Sequence, residues 1–157
     1  MNELSAPTDG EFRPDVTVAT IVLRSGCMLI VEEQVRGRLV LNQPAGHLED
    51  GESLVAAARR ETFEETGWHV TPTDFVGAYL WRNPEDGCHF LRFAFAARAD
   101  RHEPDQPLDE GIVRALWMTP SELREAGGRL RSPLVLAVID DFLAGRRLPL
   151  SAVREIP

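Results

Sequence analysis

Apolar residues in the first two thirds of the chain form short, nearly continuous runs that are rich in β-branched side chains. Runs of this kind are typical of strands that are buried in a sheet. They lie at residues 16–23, 27–33, 39–41, 75–81, 90–98 and 112–118. A turn signal at Ser25-Gly26 separates the first two runs, so we expect the second to return antiparallel to the first.

Three segments show helical signals instead. The first helix is predicted over residues 53–66, with Ser53 as its N-cap and Gly67 as the glycine that ends it. A short helix is predicted after Thr119, and a last helix over residues 133–144 from its broad apolar face. Because helices are interspersed among the strands, the pattern predicts an α/β fold with a mixed central sheet and helices on both faces.

The length of 157 residues suits a single domain with a full-sized core. We expect a flexible polar leader at residues 1–13, one domain over 14–150 and a C-terminal tail at 151–157. No apolar run approaches the roughly 20 residues of a membrane span, and the leader lacks the apolar core of a signal peptide. The default expectation is a cytoplasmic protein without a membrane partner, with Cys27 and Cys88 as structural thiols.

The formal net charge is −8, and this acidity narrows the range of partners. A protein that binds long nucleic acid neutralises phosphates with a basic surface, which this composition does not provide. Small phosphorylated ligands remain possible because a bound metal ion can supply the missing positive charge. The sequence leaves open whether the protein is a monomer or a homodimer.

Three carboxylates lie close together in the first predicted helix. Glu61, Glu64 and Glu65 are spaced i, i+3 and i+4, so their side chains leave one face of the helix. Like charges at this spacing repel, and a divalent cation between them is the simplest way to offset the repulsion. The alternative is a solvated charged face, but such faces usually interleave lysine and this chain has none. Hard oxygen ligands favour Mg²⁺ or Mn²⁺ over zinc, since no histidine or cysteine is spaced to join them.

Arg60 falls about a quarter turn to one side of these carboxylates on the predicted helix. Its guanidinium could fold back over Glu52 or over a neighbouring carboxylate and fix the orientation of that group. We therefore expect Arg60 and Glu52 to orient the site.

The glycines and charged residues also follow a fixed pattern. Gly46 is followed after five residues by Glu52, and after seven more by Arg60-Glu61-Thr62-Phe63-Glu64-Glu65-Thr66-Gly67-Trp68. This run resembles the box of the Nudix family, G-x5-E-x7-R-E-U-x-E-E-x-G-U, in which U is a bulky apolar residue. Every charged and glycine position matches, whereas Thr62 and Trp68 depart in degree at packing positions. The resemblance implies a Nudix-type α/β/α sandwich with a mixed central β-sheet.

By the same resemblance, the site would hydrolyse a pyrophosphate linkage by attack of water on phosphorus. Glu61, Glu64 and Glu65 would bind Mg²⁺, with Mn²⁺ as a possible substitute, and the Gly46 carbonyl would assist them. Glu64 or Glu65 would polarise the attacking water, while Glu52 would be a second-tier ligand or the orienting partner of Arg60.

An additional base supplied by a loop is common in this family. Asp109 and Glu110 lie in a loop that is rich in proline and acidic residues, and either of them could take this role. An ordinary acidic loop is an equally good interpretation of the same residues.

Candidates for substrate contact lie outside the box. Arg92 stands inside an apolar strand, where an arginine is expected either to contact a phosphate or to pair with a neighbouring carboxylate. Arg38 could reach a phosphate from its loop, although a solvated hairpin is the simpler interpretation. Trp81, Tyr79 and Trp117 could cover a base or pyrimidine ring, but aromatic residues on strands belong more often to the core.

Four segments outside the box resemble a bacterial phosphatase of the Nudix family. They are Asp15 to Ala19, Asn42 to Glu49, Phe90 to Phe93 and Leu130 to Val135. The resemblance implies that the substrates are nucleoside tri- and diphosphates and hydroxymethylpyrimidine pyrophosphate, with release of orthophosphate. Alternatives within the family are pyrophosphohydrolysis of ADP-ribose, a nucleotide sugar or an oxidised nucleotide, because the box does not select the substrate. A non-catalytic ligand-sensing module is a further alternative, against which the intact carboxylate set argues.

Overall fold

A computed structural model of the chain describes residues 11–157. Most of the predicted leader lies outside this range, and the division into leader, domain and tail stays a prediction. The strands are β1 Asp15–Arg24, β2 Cys27–Val35, β3 Arg38–Asn42, β4 Ala45–His47, β5 Trp68–Arg82, β6 His89–His102 and β7 Ile112–Met118. The helices are α1 Leu54–Thr66, α2 Pro120–Ala126 and α3 Leu134–Leu143, and short 3₁₀ turns lie at Gly127–Arg129 and Leu150–Ala152.

The strands form one mixed sheet, as the sequence predicts. Its main order is β3-β2-β1-β6-β5, with β4 paired to β1 and β7 paired to β2. β1 runs parallel to β6, and the other pairs are antiparallel, including the predicted return of β2 along β1. β1 is therefore the central strand, because it pairs with β2, β4 and β6.

Helices cover both faces of this sheet. On one face, Val18 of β1 packs in a cluster with Ala57 and Ala58 of α1. On the other face, Ile21 of β1 packs in a cluster that includes Ile139 of α3. The two β1 residues reach opposite faces because successive side chains of a strand alternate in direction. The predicted α/β/α sandwich is confirmed.

α1 forms where its capping and its packing agree. The Ser53 side chain accepts a hydrogen bond from the N–H of the third residue after it, which satisfies one free donor of the first turn. Gly67 ends the helix with a φ of 72°, a left-handed conformation that glycine adopts without steric cost. Between the caps, the small side chains of Ala57 and Ala58 are buried and let the helix lie close to the sheet.

Two strand boundaries differ by four residues or more from the sequence prediction, and β4 lies in a stretch where the sequence predicts no strand. β5 begins at Trp68 rather than near Phe75, and β6 continues to His102, beyond the predicted end at residue 98. Pro72, which signals a helix stop in the sequence, lies inside β5. β5 is the last strand in the main order, and its pairing register shifts just after Pro72. An edge strand with such an irregularity tolerates a proline because fewer ladder hydrogen bonds are required there.

The described residues bear on two further expectations. Cys27 and Cys88 are free thiols, and Cys88 is exposed, so it packs less than the structural thiol that the sequence predicts. Across residues 11–157, none of the helices combines the length and the apolar character that crossing a membrane requires.

The docking of α3 provides a test of the packing. Ile139→Ala should lower the free energy of unfolding by about 2–5 kcal/mol, because Ile139 is fully buried and its loss leaves a cavity. Leu143→Ala is the matched control on the same helix, since Leu143 is 46% exposed and should cost less than about 1 kcal/mol. Urea denaturation of both variants measures the difference. Equal losses in the two variants would contradict this packing of α3.

Candidate functional site

The site lies where α1 meets β4 and the loop before β7. Gly46 of β4 pairs with Val18 of β1, and its backbone lies directly against the carboxyl group of Glu61 from α1. A Cβ at position 46 would overlap that carboxyl group. Only glycine therefore allows the strand and the carboxylate to approach this closely.

Three carboxylates converge beside this contact. Glu61, Glu64 and Asp109 each offer one oxygen, and these three oxygens lie within 4.8 Å of one another. The backbone N–H of Asp109 also donates to the Glu64 carbonyl at 3.0 Å, which ties the loop to the helix. Three carboxylate oxygens this close together, beside the Gly46 backbone, fit a hard divalent cation such as Mg²⁺ or Mn²⁺.

Glu65 is bound to the strand β4. Its Oε2 accepts a hydrogen bond at 3.0 Å from the backbone N–H of Ala45, and the residue is only 7% exposed. Burial raises the pKa of Glu65 to about 9, although the Ala45 N–H opposes this shift. The negative charges of Glu61, Glu33 and Asp109 raise this pKa further. Glu65 is therefore not one of the three converging carboxylates, and its predicted role as a metal ligand stays a prediction.

Burial also raises the pKa of Glu61, and here a cation opposes the shift. Arg60 donates from Nη1 to Glu61 Oε1 at 2.8 Å, which favours the ionised carboxylate. Glu64 and Asp109 act in the other direction because their negative charges disfavour a third charge nearby. A divalent cation would remove this conflict by stabilising all three ionised groups.

Arg60 forms hydrogen bonds to residues before α1 and within α1. Its guanidinium binds Glu52 in a bidentate manner, with Nη2 to Oε1 at 2.6 Å and Nε to Oε2 at 3.0 Å. Nη1 also reaches Glu64 Oε2 at 3.1 Å, and Nη2 donates to the His47 carbonyl at 3.0 Å. The hydrogen bonds from Arg60 lower the pKa of Glu52, so this carboxylate is ionised beside the guanidinium. The structure therefore brings Arg60 and Glu52 together in the arrangement that the sequence suggests.

The structure separates the two acidic residues of the loop. Asp109 belongs to the converging set, whereas Glu110 does not. The chain turns at this point, because the N–H of Ile112 donates to the Asp109 carbonyl at 3.0 Å and Gly111 adopts a φ of 88°. Adjacent residues of a turn point in different directions, so only one of them faces the helix.

Arg92 is buried, at 6% exposure, on the face of the sheet that α3 covers. Its Nη1 lies 3.3 Å from Gln43 Oε1 and 3.5 Å from Asn42 Oδ1. Within residues 11–157, no carboxylate comes within 4.0 Å of this guanidinium, so the neighbouring ion pair considered from the sequence is not formed. Little of the guanidinium is exposed, and the predicted contact of Arg92 with a phosphate stays a prediction.

The other substrate-contact candidates have partners outside the converging set. Trp81 is half-buried and stacks on Phe90, with the ring centroids 5.8 Å apart. Arg38 is exposed and donates to the Gly128 carbonyl at 3.2 Å. Neither side chain contacts the converging set, and their predicted roles stay predictions.

The chain is similar to known proteins in sequence and in structure. The family model described as NUDIX domain matches residues 12–137. Phosphatase NudJ of Escherichia coli (strain K12) is 44% identical over 144 residues, which cover 92% of this chain and 93% of that protein. A NUDIX hydrolase from Nitrosomonas europaea is 43% identical, with a TM-score of 0.90 over 92% of this chain and 98% of that one. A UDP-X diphosphatase, at 16% identity and a TM-score of 0.70, shares the fold alone.

The family model covers more than half of the chain, and the similarity to the phosphatase extends over nearly the whole of it. The matched residues include Gly46, the three converging carboxylates and the pair of Arg60 with Glu52. On this evidence the chain belongs to the Nudix family of hydrolases.

Proposed function

We propose that this protein hydrolyses nucleoside tri- and diphosphates and hydroxymethylpyrimidine pyrophosphate in a Mg²⁺-dependent reaction that releases orthophosphate. The observation that carries the proposal is the convergence of Glu61, Glu64 and Asp109 beside the Gly46 backbone. The 44% identity to Phosphatase NudJ supports the choice of orthophosphate as the product. A cytoplasmic location and small phosphorylated partners belong to the same proposal.

The proposed ligands are the converging carboxylates together with the Gly46 carbonyl. Glu65 is also a proposed ligand. Its Oε2 accepts the hydrogen bond from the Ala45 N–H, but its Oε1 makes no hydrogen bond within the described residues, so Oε1 is the oxygen proposed to bind the metal ion. Bound Mg²⁺ would supply charge neutralisation at the phosphates, which is the main requirement of phosphoryl transfer. The acidic chain provides little other positive charge at this position.

Glu64 is the best placed of these residues to accept the proton of the attacking water. Its side chain is 36% exposed, whereas Glu61 and Glu65 are both buried. Arg60 holds one Glu64 oxygen at 3.1 Å and so fixes the direction of the carboxylate. We assign Glu64 as the residue that orients and deprotonates water, and Glu52 as the group that holds Arg60 in place.

Glu64→Gln tests this assignment. The amide keeps the shape but removes the charge, and kcat should fall by about 100-fold or more, which corresponds to about 2.7 kcal/mol of activation free energy. Glu125→Gln is the matched control, because Glu125 is exposed on α2 and outside the site. Phosphate release under saturating Mg²⁺ measures both. Full activity of the Glu64 variant would overturn its assignment as the residue that activates water, whereas a wild-type protein that releases no phosphate would favour a ligand-sensing module.

The two loop acids provide a second test. Asp109→Asn should lower kcat by about 10-fold to 100-fold, because it removes one carboxylate of the converging set. Glu110→Gln should change kcat by less than about twofold, since a surface charge outside the set contributes little. The same steady-state assay serves both variants. A larger loss in the Glu110 variant would reassign the loop residue to Glu110.

The products of a substrate panel test the proposed substrate class. With Mg²⁺, the protein should release orthophosphate from GTP, GDP and hydroxymethylpyrimidine pyrophosphate, and EDTA should abolish the reaction. Ion chromatography distinguishes orthophosphate from pyrophosphate in each mixture. Release of pyrophosphate alone from GTP, or turnover restricted to ADP-ribose or nucleotide sugars, would point to the alternative pyrophosphohydrolase function.

A further inference from the structure

Arg92 is a buried cation that the proposed reaction does not use. Burial lowers its pKa to about 10, so the guanidinium is still charged at neutral pH. Its Nε has no hydrogen-bond partner, and the same is true of the neighbouring Thr17 hydroxyl, which lies opposite Arg92 in the β1–β6 pair. A buried charge without a close counter-ion is strongly unfavourable, and stability alone does not explain its presence.

The guanidinium is directed at the end of β3. It lies near the side-chain oxygens of Asn42 and Gln43, both of which are buried. Gln43 is also held from the other side, because its Nε2 donates to the Val135 carbonyl of α3 at 2.7 Å. The end of β3 is thus fixed between a buried strand and the N-terminal turn of α3.

The next three residues of the chain bring this anchored segment to the carboxylates. The Pro44 carbonyl accepts a hydrogen bond from the N–H of Thr20 at 3.0 Å. The Ala45 N–H then donates to Glu65, and the Gly46 backbone lies against Glu61. Residues 42–43 therefore anchor the chain immediately before the two backbone groups that meet the acidic face of α1, which also pair with β1.

Arg92 also contributes through its charge. The carboxylates of Glu33 and Glu65 are close enough to favour the charged form of the guanidinium, although neither forms an ion pair with it. Arg92 is therefore a cation on the face of the sheet that α3 covers, and it contacts the segment that leads to the site, whereas α1 covers the other face.

We propose that Arg92 is a positioning residue that holds residues 42–46 in the geometry required for metal binding by the carboxylates of α1. This inference rests on the proposed function, because it concerns the same metal site. It differs from the role suggested by the sequence, in which Arg92 would contact a phosphate directly. The two roles predict different kinetic effects, since a positioning residue changes metal affinity and kcat, whereas a phosphate contact changes KM.

Arg92→Met and Arg92→Lys test the proposal. Methionine fills similar space without charge or donors, and lysine keeps the charge but loses the planar fork. Arg98→Met is the matched control, because Arg98 lies on the same strand with its side chain 67% exposed. The measurements are Mn²⁺ binding to the substrate-free protein by electron paramagnetic resonance, kcat and KM with GTP, and the Tm.

Arg92→Met should weaken Mn²⁺ binding and lower kcat by about 10-fold to 100-fold, the usual effect of removing a group that orients metal ligands. KM should change by less than about twofold, and Tm should change little, because relief of the buried charge offsets the loss of the hydrogen bonds to Asn42 and Gln43. Arg92→Lys should show a smaller loss in the same parameters, and Arg98→Met should match the wild type.

Mn²⁺ binding and kcat at the wild-type level in both Arg92 variants would overturn the proposal. An increase in KM alone would overturn it in favour of direct phosphate contact, and loss of the folded near-UV circular dichroism in both variants would assign a merely structural role. If only Arg92→Met fails to fold, Arg92→Lys decides. A wild-type protein that binds no Mn²⁺ would reject the proposed function itself, whereas equal binding by wild type and variants rejects this inference alone.

Discussion

Mutual repulsion among Glu61, Glu64 and Asp109 is the constraint that the surrounding structure has to satisfy. Their oxygens lie within 4.8 Å of one another, and Arg60 is the cation that contacts two of them directly. Each of these carboxylates is held by an element that cannot move independently. α1 is tied to β1 by the hydrogen bond between the Thr20 and Thr62 hydroxyls at 2.8 Å, and the loop is tied to α1 through the Asp109 N–H. Backbone and core contacts therefore preorganise the site, and their favourable free energy offsets the repulsion between the carboxylates.

The central strand carries this preorganisation across the sheet. Thr17 of β1 pairs with His47 on one side and with Arg92 on the other. The adjacent Val18 pairs with Gly46 and packs under α1. If the pairing register of β1 shifted by one residue, Gly46 would no longer lie opposite Val18. The β1 side chains that face α1 and α3 would also be exchanged. This coupling explains how α1, the short strand β4 and the loop before β7 hold the converging carboxylates and the Gly46 backbone together.

The sequence predicts those features that depend on local signals. Both ends of α1 carry caps, Ser53 and Gly67, and the predicted helix agrees with the observed one within a residue. Local signals fail where the sheet overrides them, as in β5, where an edge position and a register shift accommodate Pro72. They also fail to separate Asp109 from Glu110, because the direction of a side chain in a turn depends on backbone angles that the sequence pattern does not determine.

The sequence pattern also does not show which side chains are buried. Burial has its largest effect on the charged residues. Helical spacing places Glu65 beside Glu61 and Glu64 but does not show that its oxygen is bonded to the Ala45 N–H. Strand alternation does not show that the Arg92 guanidinium is removed from solvent. Desolvation raises the pKa of Glu65 and lowers that of Arg92, and the attraction between the two charges opposes the shift at Arg92. Ionising either group costs free energy because both are buried, and both contact the same segment of the chain, Glu65 at Ala45 and Arg92 at Asn42 and Gln43.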